Sequence, residues 1–165
     1  MARRHVESSE QQQPELFKSQ YEEDFLVRTL GDLIRRPEVA LGELVANAWD
    51  AGAARVDVTI PEFQDENLIV EDDGCGLTKE QFAQRWMTLG YNRQKNQGSE
   101  VEFPPGRSGR RRAYGRNGQG RHGLLCFGRS YEVTTIRDGQ RSVFEVKVES
   151  GENPLGSRLV AAAHS

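Results

Sequence analysis

One stretch of the chain combines helical spacing with regularly placed polar residues, and it reads Glu43-Leu44-Val45-Ala46-Asn47-Ala48-Trp49-Asp50-Ala51. Glu43, Asn47 and Asp50 fall at i, i+4 and i+7, so they share one face of a helix. The residues between them are largely apolar. The stripe therefore predicts either a solvated polar edge, which is common on amphipathic helices, or the wall of a polar pocket.

A second polar motif follows the apolar run 68–70, which is typical of an inner strand. It reads Asp72-Asp73-Gly74-Cys75-Gly76-Leu77-Thr78. Its glycines remove side chains where the chain turns or where a ligand approaches the backbone. Alone, this is an ordinary turn. In a pocket, the Asp72 carboxylate can accept a hydrogen bond from an exocyclic amino group such as adenine N6, beside a flat surface that suits a planar ring.

The third motif is rich in glycine and arginine and reads Gly115-Arg116-Asn117-Gly118-Gln119-Gly120-Arg121-His122-Gly123. Backbone N–H groups at the start of a helix, with arginines beside them, favour a polyphosphate. Residues 118–123 also spell GxGxxG, but the polar stretch before them is not the strand that a dinucleotide-binding fold requires. The GxxxxGK[ST] phosphate loop is absent from the sequence.

The order of elements predicts an α+β fold, a two-layer sandwich with a mixed, mostly antiparallel sheet and its helices on one face. Predicted helices cover 22–34, 37–51 and 78–90, and another begins at 124–127. Predicted strands cover 56–60, 68–70, 131–137, 142–148 and 159–162, with a hairpin turn at Asp138-Gly139. Residues 90–122 lack periodicity and predict a long lid.

The bulk composition limits the class of protein. The 165 residues, 36% of them hydrophobic, fit a flexible arm at 1–20 and one domain at 21–165. Two cysteines make no disulfide framework, and the three histidines lack metal-ligand spacing. Without a signal peptide or an apolar run of about 20 residues, we expect a cytoplasmic protein that does not enter membranes.

Arginines are concentrated in the predicted lid, although the net charge of the chain is only -3. The cluster is denser than phosphate binding requires. It suggests contact with nucleic acid or an acidic protein partner, although a solvated basic loop is the default interpretation. The arginines concerned are Arg107, Arg110, Arg111 and Arg112.

In this order and spacing, the three motifs resemble the N box, the DxGxG box and the GxxGxG lid box of the Bergerat-fold ATPases, the superfamily of gyrase, heat-shock chaperones, histidine kinases and MutL. The resemblance covers residues 22–160. Residues 40–53, residues 86–90 and the basic lid look most like the branch of the heat-shock chaperone and the MORC ATPases. The resemblance implies a site for ATP and Mg²⁺.

The resemblance also implies roles for individual residues. Asp72 would bind the adenine amino group, with Ser157 near the ring through a water, and Asn47 would bind Mg²⁺. Glu43 would be the general base, and Asp50 would support the pocket. Gly118, Gly120 and Arg121 would hold phosphate oxygens, whereas Lys95 is either a further phosphate contact or a solvated residue. The remaining ATP-site residues that we expect are Gly74, Gly76, where the base would lie close, Leu77, Gly90, Gly115, Gln119, His122 and Gly123.

Two functions remain open at this point. One is slow Mg²⁺-dependent hydrolysis of ATP, gated by the lid and by ATP-dependent dimerisation of a longer protein. The other is a regulatory module that binds nucleotide without significant hydrolysis. A sensor histidine kinase ranks lower, because His5 lies in the arm and no upstream helix carries a phosphoacceptor histidine. Because the last predicted strand lies so near Ser165, we expect this to be an excised N-terminal domain without the transducer domain of the gyrase and MutL branches.

Overall fold

The computed structural model describes residues 25–63, 65–115, 118–149 and 155–164. The predicted arm at 1–20 lies outside the described residues, as do Arg116 and Asn117 of the glycine-rich motif.

The helical elements are short except for the one that carries the polar stripe. They are α1 Phe25–Leu30 with a 3-10 turn Gly31–Ile34, α2 Pro37–Asp50, α3 Lys79–Gln81 with a π-helical turn Phe82–Trp86, α4 Arg93–Gln97, and a 3-10 helix Gly120–Cys126. Pro37 stands in the first turn of α2, where its missing N–H costs nothing. At α3, Thr78 and Gln81 form both hydrogen bonds of a capping box. None of these helices is long and apolar enough to cross a membrane, among the residues that the structure describes.

The strands form two antiparallel sheets. One pairs β1 Val56–Thr59 with β2 Ile69–Asp72, and the other has the order β3 Ser130–Arg137, β4 Gln140–Val148, β5 Leu155–His164. Asp138 and Gly139 turn the β3–β4 hairpin with positive φ angles of 53° and 71°, as its two-residue turn requires.

The predicted fold class, α+β with antiparallel sheets and helices, is confirmed. Three expectations were wrong, and the first is the helix predicted over 78–90, which ends at Trp86. β2 is not an inner strand: it pairs only with β1 among the described strands, and Ile69 is 46% exposed. Residues 124–127 do not begin a helix, because the 3-10 helix starts at Gly120 and ends at Cys126.

The core packs helical segments against one face of β4. Phe82 stacks on Phe144 with ring centroids 3.8 Å apart, and Val146 is fully buried in the same cluster. A second cluster joins Leu30, Leu33 and Ala40 to the 3-10 helix and to β4. Through these contacts α2 lies against the 3-10 helix. Its polar stripe therefore faces Gly115 and residues 118–121, the glycine-rich segment that leads into that helix.

Candidate functional site

A cavity of about 530 Å³ opens where the polar stripe of α2 meets the glycine-rich segment. Its size falls in the range of small-ligand sites, ~300–1,000 Å³. Eight of the predicted site residues line it, which are Glu43, Asn47, Asp50, Gly115, Gly118, Gln119, Gly120 and Arg121. The stripe is therefore the wall of a polar pocket, and two of the three motifs meet there.

Asp50 holds the start of the glycine-rich segment. Its carboxylate oxygens accept hydrogen bonds from the backbone N–H groups of Tyr114, at 2.7 Å, and Gly115, at 2.8 Å. Nε of Arg93 lies 3.8 Å from Asp50 Oδ2, and the two side chains are only 11% and 12% exposed. Asp50 is thus occupied by protein groups and supports the pocket wall.

Glu43 lies directly against Gly120. A Cβ added at Gly120 would overlap Glu43 Oε2 and lie 3.0 Å from Glu43 Cβ. At Gly118, where φ is +60°, a Cβ would come within 2.6 Å of the Tyr91 carbonyl oxygen. Gly120 therefore allows the backbone of the segment to approach α2, and Gly118 allows it to approach Tyr91, more closely than a side chain would permit.

Two polar groups that line the cavity have no hydrogen-bond partner among the described residues. Asn47 Nδ2 is buried without a hydrogen bond, and the Arg121 guanidinium makes neither a hydrogen bond nor an ion pair within the described part of the chain. Arg121 lies 5.4 Å from the Tyr91 ring centroid. Burial lowers the pKa of Arg121, while Tyr91, Tyr131 and Asp50 act in the opposite direction. A desolvated cation beside an unpaired amide would be stabilised by a polar, anionic ligand.

The Asp72 turn is attached to the C-terminal end of α2. Cys75 donates its backbone N–H to the Ala51 carbonyl at 2.8 Å, and a Cβ at Gly74 would meet Ala51 Cβ at 2.7 Å. Asp72 Oδ1 accepts the Gly74 N–H at 2.9 Å. Burial raises the pKa of Asp72; the Gly74 hydrogen bond opposes this, and the Asp73 charge adds to it. Asp72 and Gly74 lie near the end of α2, but they are not among the residues that line the cavity.

The other predicted site residues on the sheet side of this turn also lie outside the cavity lining. A Cβ at Gly76 would overlap the Ile136 carbonyl oxygen, so its missing side chain makes room for β3. Leu77 donates its N–H to Thr135 Oγ1 on the same strand, at 2.7 Å. Ser157 is exposed on β5, opposite Val146.

Four further predicted residues are placed away from the cavity as well. Lys95 is exposed on α4, and a Cβ at Gly90 would meet nothing within 4 Å. His122 is fully buried, and its Nδ1 lies 2.8 Å from the Tyr131 hydroxyl oxygen. Gly123 packs against α2, where a Cβ would lie 3.0 Å from the Ala40 carbonyl oxygen. His122 and Gly123 thus belong to the core side of the 3-10 helix.

Sequence reasoning missed several lining residues: Leu33, Val39, Arg93, Ala113 and Tyr114. Leu33 and Val39 look like ordinary core positions. Arg93 lies in a polar run without periodicity, so no local signal distinguishes it from a solvated arginine. Only the structure shows that its guanidinium contacts the carbonyl groups of Gly98 and Glu100 and faces the carboxylate of Asp50.

Three of the four arginines predicted to meet a partner are engaged within the chain. Arg107 pairs with Asp73 at 2.5 Å, and Arg110 pairs with Glu100 at 2.8 Å. The Arg107 contact and the backbone N–H groups of residues 55 and 54 hold the pKa of Asp73 well below its usual range. Arg111 donates to the Ala53 carbonyl at 2.8 Å and lies 4.1 Å above the Trp49 ring. The contacts of Arg107 and Arg111 fasten the lid region to the Asp72 turn and to the end of α2, whereas the Arg110 pair lies within the lid region.

Comparison with known proteins identifies the class. The chain belongs to the family described as histidine kinase-, DNA gyrase B- and HSP90-like ATPases, which matches residues 34–161. The superfamily predicted from the three motifs is therefore confirmed.

Among individual relatives, this chain is similar to DNA mismatch repair proteins MutL. It is 56% identical over 48 residues to the protein of Sphingopyxis alaskensis, a match that covers 29% of this chain and 8% of the relative. To that of Paramagnetospirillum magneticum it is 44% identical over 52 residues, covering 32% of this chain and 9% of the relative. The matches thus span under a tenth of these relatives' length. They do not support placement in the heat-shock chaperone and MORC branch.

Proposed function

We propose that this domain binds ATP in the cavity between α2 and the glycine-rich segment and hydrolyses it slowly in the presence of Mg²⁺. The domain would act as a conformational switch for a larger protein. One observation carries the proposal. The half-buried Arg121 guanidinium makes no ion pair among the described residues, although the Asp50 charge acts on it, and it lines the same cavity as Asn47 Nδ2, which is buried without a hydrogen bond. A polyphosphate would supply the missing negative charge.

The glycine-rich segment would bind the phosphates. Backbone N–H groups of Gly118, Gly120 and Arg121 would donate to phosphate oxygens, and the Arg121 side chain would add charge. Gly118 and Gly120 support this, because both lie where a Cβ would collide with neighbouring residues. The two glycines thus leave their backbone without side chains beside the cavity that they line.

The donor set of the cavity fits Mg²⁺. This cation prefers oxygen ligands and is often held by one or two protein groups plus substrate phosphates. Within the described residues, no group of three or more His, Cys, Asp and Glu side chains could hold a metal. Asn47 would be the protein ligand through its side-chain oxygen, and its Nδ2, buried without a partner among the described residues, would be free to donate to a phosphate oxygen. When bound, Mg²⁺ neutralises charge on the phosphates.

Glu43 would act as the general base. It stands one helical turn before Asn47 on the same face of α2 and lines the cavity. A carboxylate there can accept a proton from the water that attacks the terminal phosphate. Because Gly120 lies against Glu43, the position of the glycine-rich segment would control access of water to this carboxylate.

Asp72 would select adenine. Its Oδ1 accepts one N–H from Gly74, which leaves acceptor capacity on the carboxylate for the N6 amino group. The attachment of its turn to the end of α2 supports a base position beside the cavity. A water-mediated contact from Ser157 and a close approach of the base at Gly76 remain predictions.

A nucleotide-binding module without significant hydrolysis is the alternative. In either case, three further statements remain proposals. They are ATP-dependent dimerisation of a longer protein, a relationship to the heat-shock chaperone and MORC branch, and a cytoplasmic location. DNA contact is suggested by the name of the MutL relatives. On this chain Arg112 is exposed, whereas Arg107, Arg110 and Arg111 have contacts within the chain.

Calorimetric titration with Mg²⁺ and ATP, followed by measurement of phosphate release, tests the proposal. We expect the wild type to bind and hydrolyse ATP, and Glu43→Ala to bind ATP with turnover reduced at least about a hundredfold. Glu132→Ala, an exposed glutamate on β3, is the matched control and should behave as the wild type. Binding without turnover in the wild type favours the alternative module. Absence of binding, or unchanged turnover in Glu43→Ala, contradicts the proposal.

A further inference from the structure

Arg93 is a buried arginine with three acceptors around its guanidinium. It is 9% exposed and is the first residue of α4. Its Nη1 donates to the Gly98 carbonyl at 3.1 Å and its Nη2 to the Glu100 carbonyl at 3.2 Å. Its Nε faces Asp50 at 3.8 Å. Arg93 therefore fixes the beginning of segment 98–115 to α2.

Asp50 fixes the other end of the same segment. The two backbone N–H groups that it binds belong to Tyr114 and to Gly115, the first residue of the glycine-rich segment. The Arg93–Asp50 pair thus joins both ends of segment 98–115 at one buried point on α2. This pair closes the base of the loop.

Between these ends the chain forms a small irregular hairpin. Val101 donates its N–H to the Arg111 carbonyl, and Ala113 donates to the Ser99 carbonyl, both at 2.9 Å. Trp49 of α2 donates its Nε1–H to the Arg112 carbonyl at 2.9 Å. This part of the predicted lid is therefore held on α2, and the glycine-rich residues continue from its fixed end.

We propose that Arg93 is a positioning residue for the phosphate end of the nucleotide site. By holding Asp50 and the base of the hairpin together, it fixes where residues 118–121 begin and so directs their N–H groups and Arg121 into the cavity. The inference rests on the proposed function of this cavity. A guanidinium suits the role because its planar fork serves several acceptors at once, which an ammonium cannot do with the same geometry.

We expect Arg93 variants to lose affinity for a ligand that carries phosphates but not for adenosine. In Arg93→Met, the affinity for a non-hydrolysable ATP analogue with Mg²⁺ should fall about tenfold or more, since a small displacement of positioning groups carries a large cost. Adenosine, which lacks phosphates, should bind within about twofold of the wild type when followed by NMR titration. For Arg93→Lys, which keeps the charge but loses the planar fork, the analogue affinity should lie between those of the wild type and of Arg93→Met.

A matched control comes from the same hairpin. Arg110→Met removes an exposed ion pair with Glu100 and should leave both affinities unchanged. Hydrogen exchange without nucleotide gives a second measurement. The Tyr114 and Gly115 amides should exchange faster in Arg93→Met, or in Arg93→Lys if the methionine variant does not fold, than in Arg110→Met.

The outcomes separate the two proposals. A wild type that binds no ATP analogue contradicts the proposed function, and the inference fails with it. A wild type that binds, with analogue affinity and amide exchange unchanged in both Arg93 variants, overturns the inference alone. Equal losses for adenosine and for the analogue would show that Arg93 only maintains the fold, and would overturn it as well.

Discussion

His122 is a buried titratable residue that sits behind the proposed phosphate site. It is fully buried next to Arg121, and its Nδ1 lies 2.8 Å from the Tyr131 hydroxyl oxygen, which accepts a hydrogen bond from Trp86 Nε1–H at 3.1 Å. Burial chiefly, and then the Arg121 charge, lower the pKa of His122 to about 4. The fold therefore requires the neutral imidazole.

This requirement predicts a dependence of stability on pH. The unfolded chain binds a proton on His122 below about pH 6.5, whereas the folded protein resists it down to about 4, so stability is lost as pH falls through this window. Between pH 7 and pH 5 the free energy of unfolding should drop by about 2 kcal/mol from this residue. Urea denaturation at both pH values measures the drop.

Comparing variants separates the contribution of His122 to this pH dependence from the contribution of the carboxyl groups. His122→Gln should show a smaller drop than the wild type by about this amount, while His164→Gln, at an exposed histidine of β5, should keep the whole drop. An identical pH dependence in His122→Gln and the wild type would contradict the buried neutral histidine.

At the scale of elements, α2 and the 3-10 helix contain glycines in opposite environments. Gly42 is exposed within α2, and a Cβ there would meet nothing within 4 Å. Gly123 faces α2 at a distance where a Cβ would press on the Ala40 backbone. The first glycine weakens its helix, and the second permits two helices to pack closely.

Alanine at these two positions should therefore have opposite effects. Gly42→Ala should raise the free energy of unfolding by about 0.5–1 kcal/mol, since alanine restricts the unfolded chain and favours the helix. Gly123→Ala should lower it by about 1–3 kcal/mol through overpacking. Thermal unfolding of both variants checks the pair, and a stabilised Gly123→Ala would show that α2 and the 3-10 helix are not in this contact.

The elements that the sequence predicts correctly are those with strong local signals. Helix α2 follows from Pro37 and its apolar spacing, α3 from the Thr78–Gln81 capping box, and the β3–β4 hairpin from Asp138-Gly139. Helix α4 and the true extent of the 3-10 helix were not predicted. Helix α4 lacks an apolar period, and the hydrogen bonds of Arg93 to the Gly98 and Glu100 carbonyl groups that hold it are not encoded in a local pattern.

For the whole molecule, packing decides which predicted residues meet. The α2 stripe and the glycine-rich segment could be brought together from sequence because both belong to recognisable motifs, and they line one cavity. The Asp72 turn lies beside α2, outside the cavity lining, since its backbone pairs with Ala51 while Gly76 and Leu77 contact β3. Such pairings depend on residues far apart in the chain, and no spacing rule encodes them.

The central claim is that the cavity between α2 and the glycine-rich residues 115 and 118–121 holds the phosphates of ATP. A crystal structure of the domain with Mg²⁺ and a non-hydrolysable ATP analogue tests it most directly. We predict phosphate oxygens against the N–H groups of Gly118, Gly120 and Arg121, with the Asn47 oxygen on the cation and the adenine at Asp72. An analogue bound on another surface, with this cavity free of phosphate, would contradict the account.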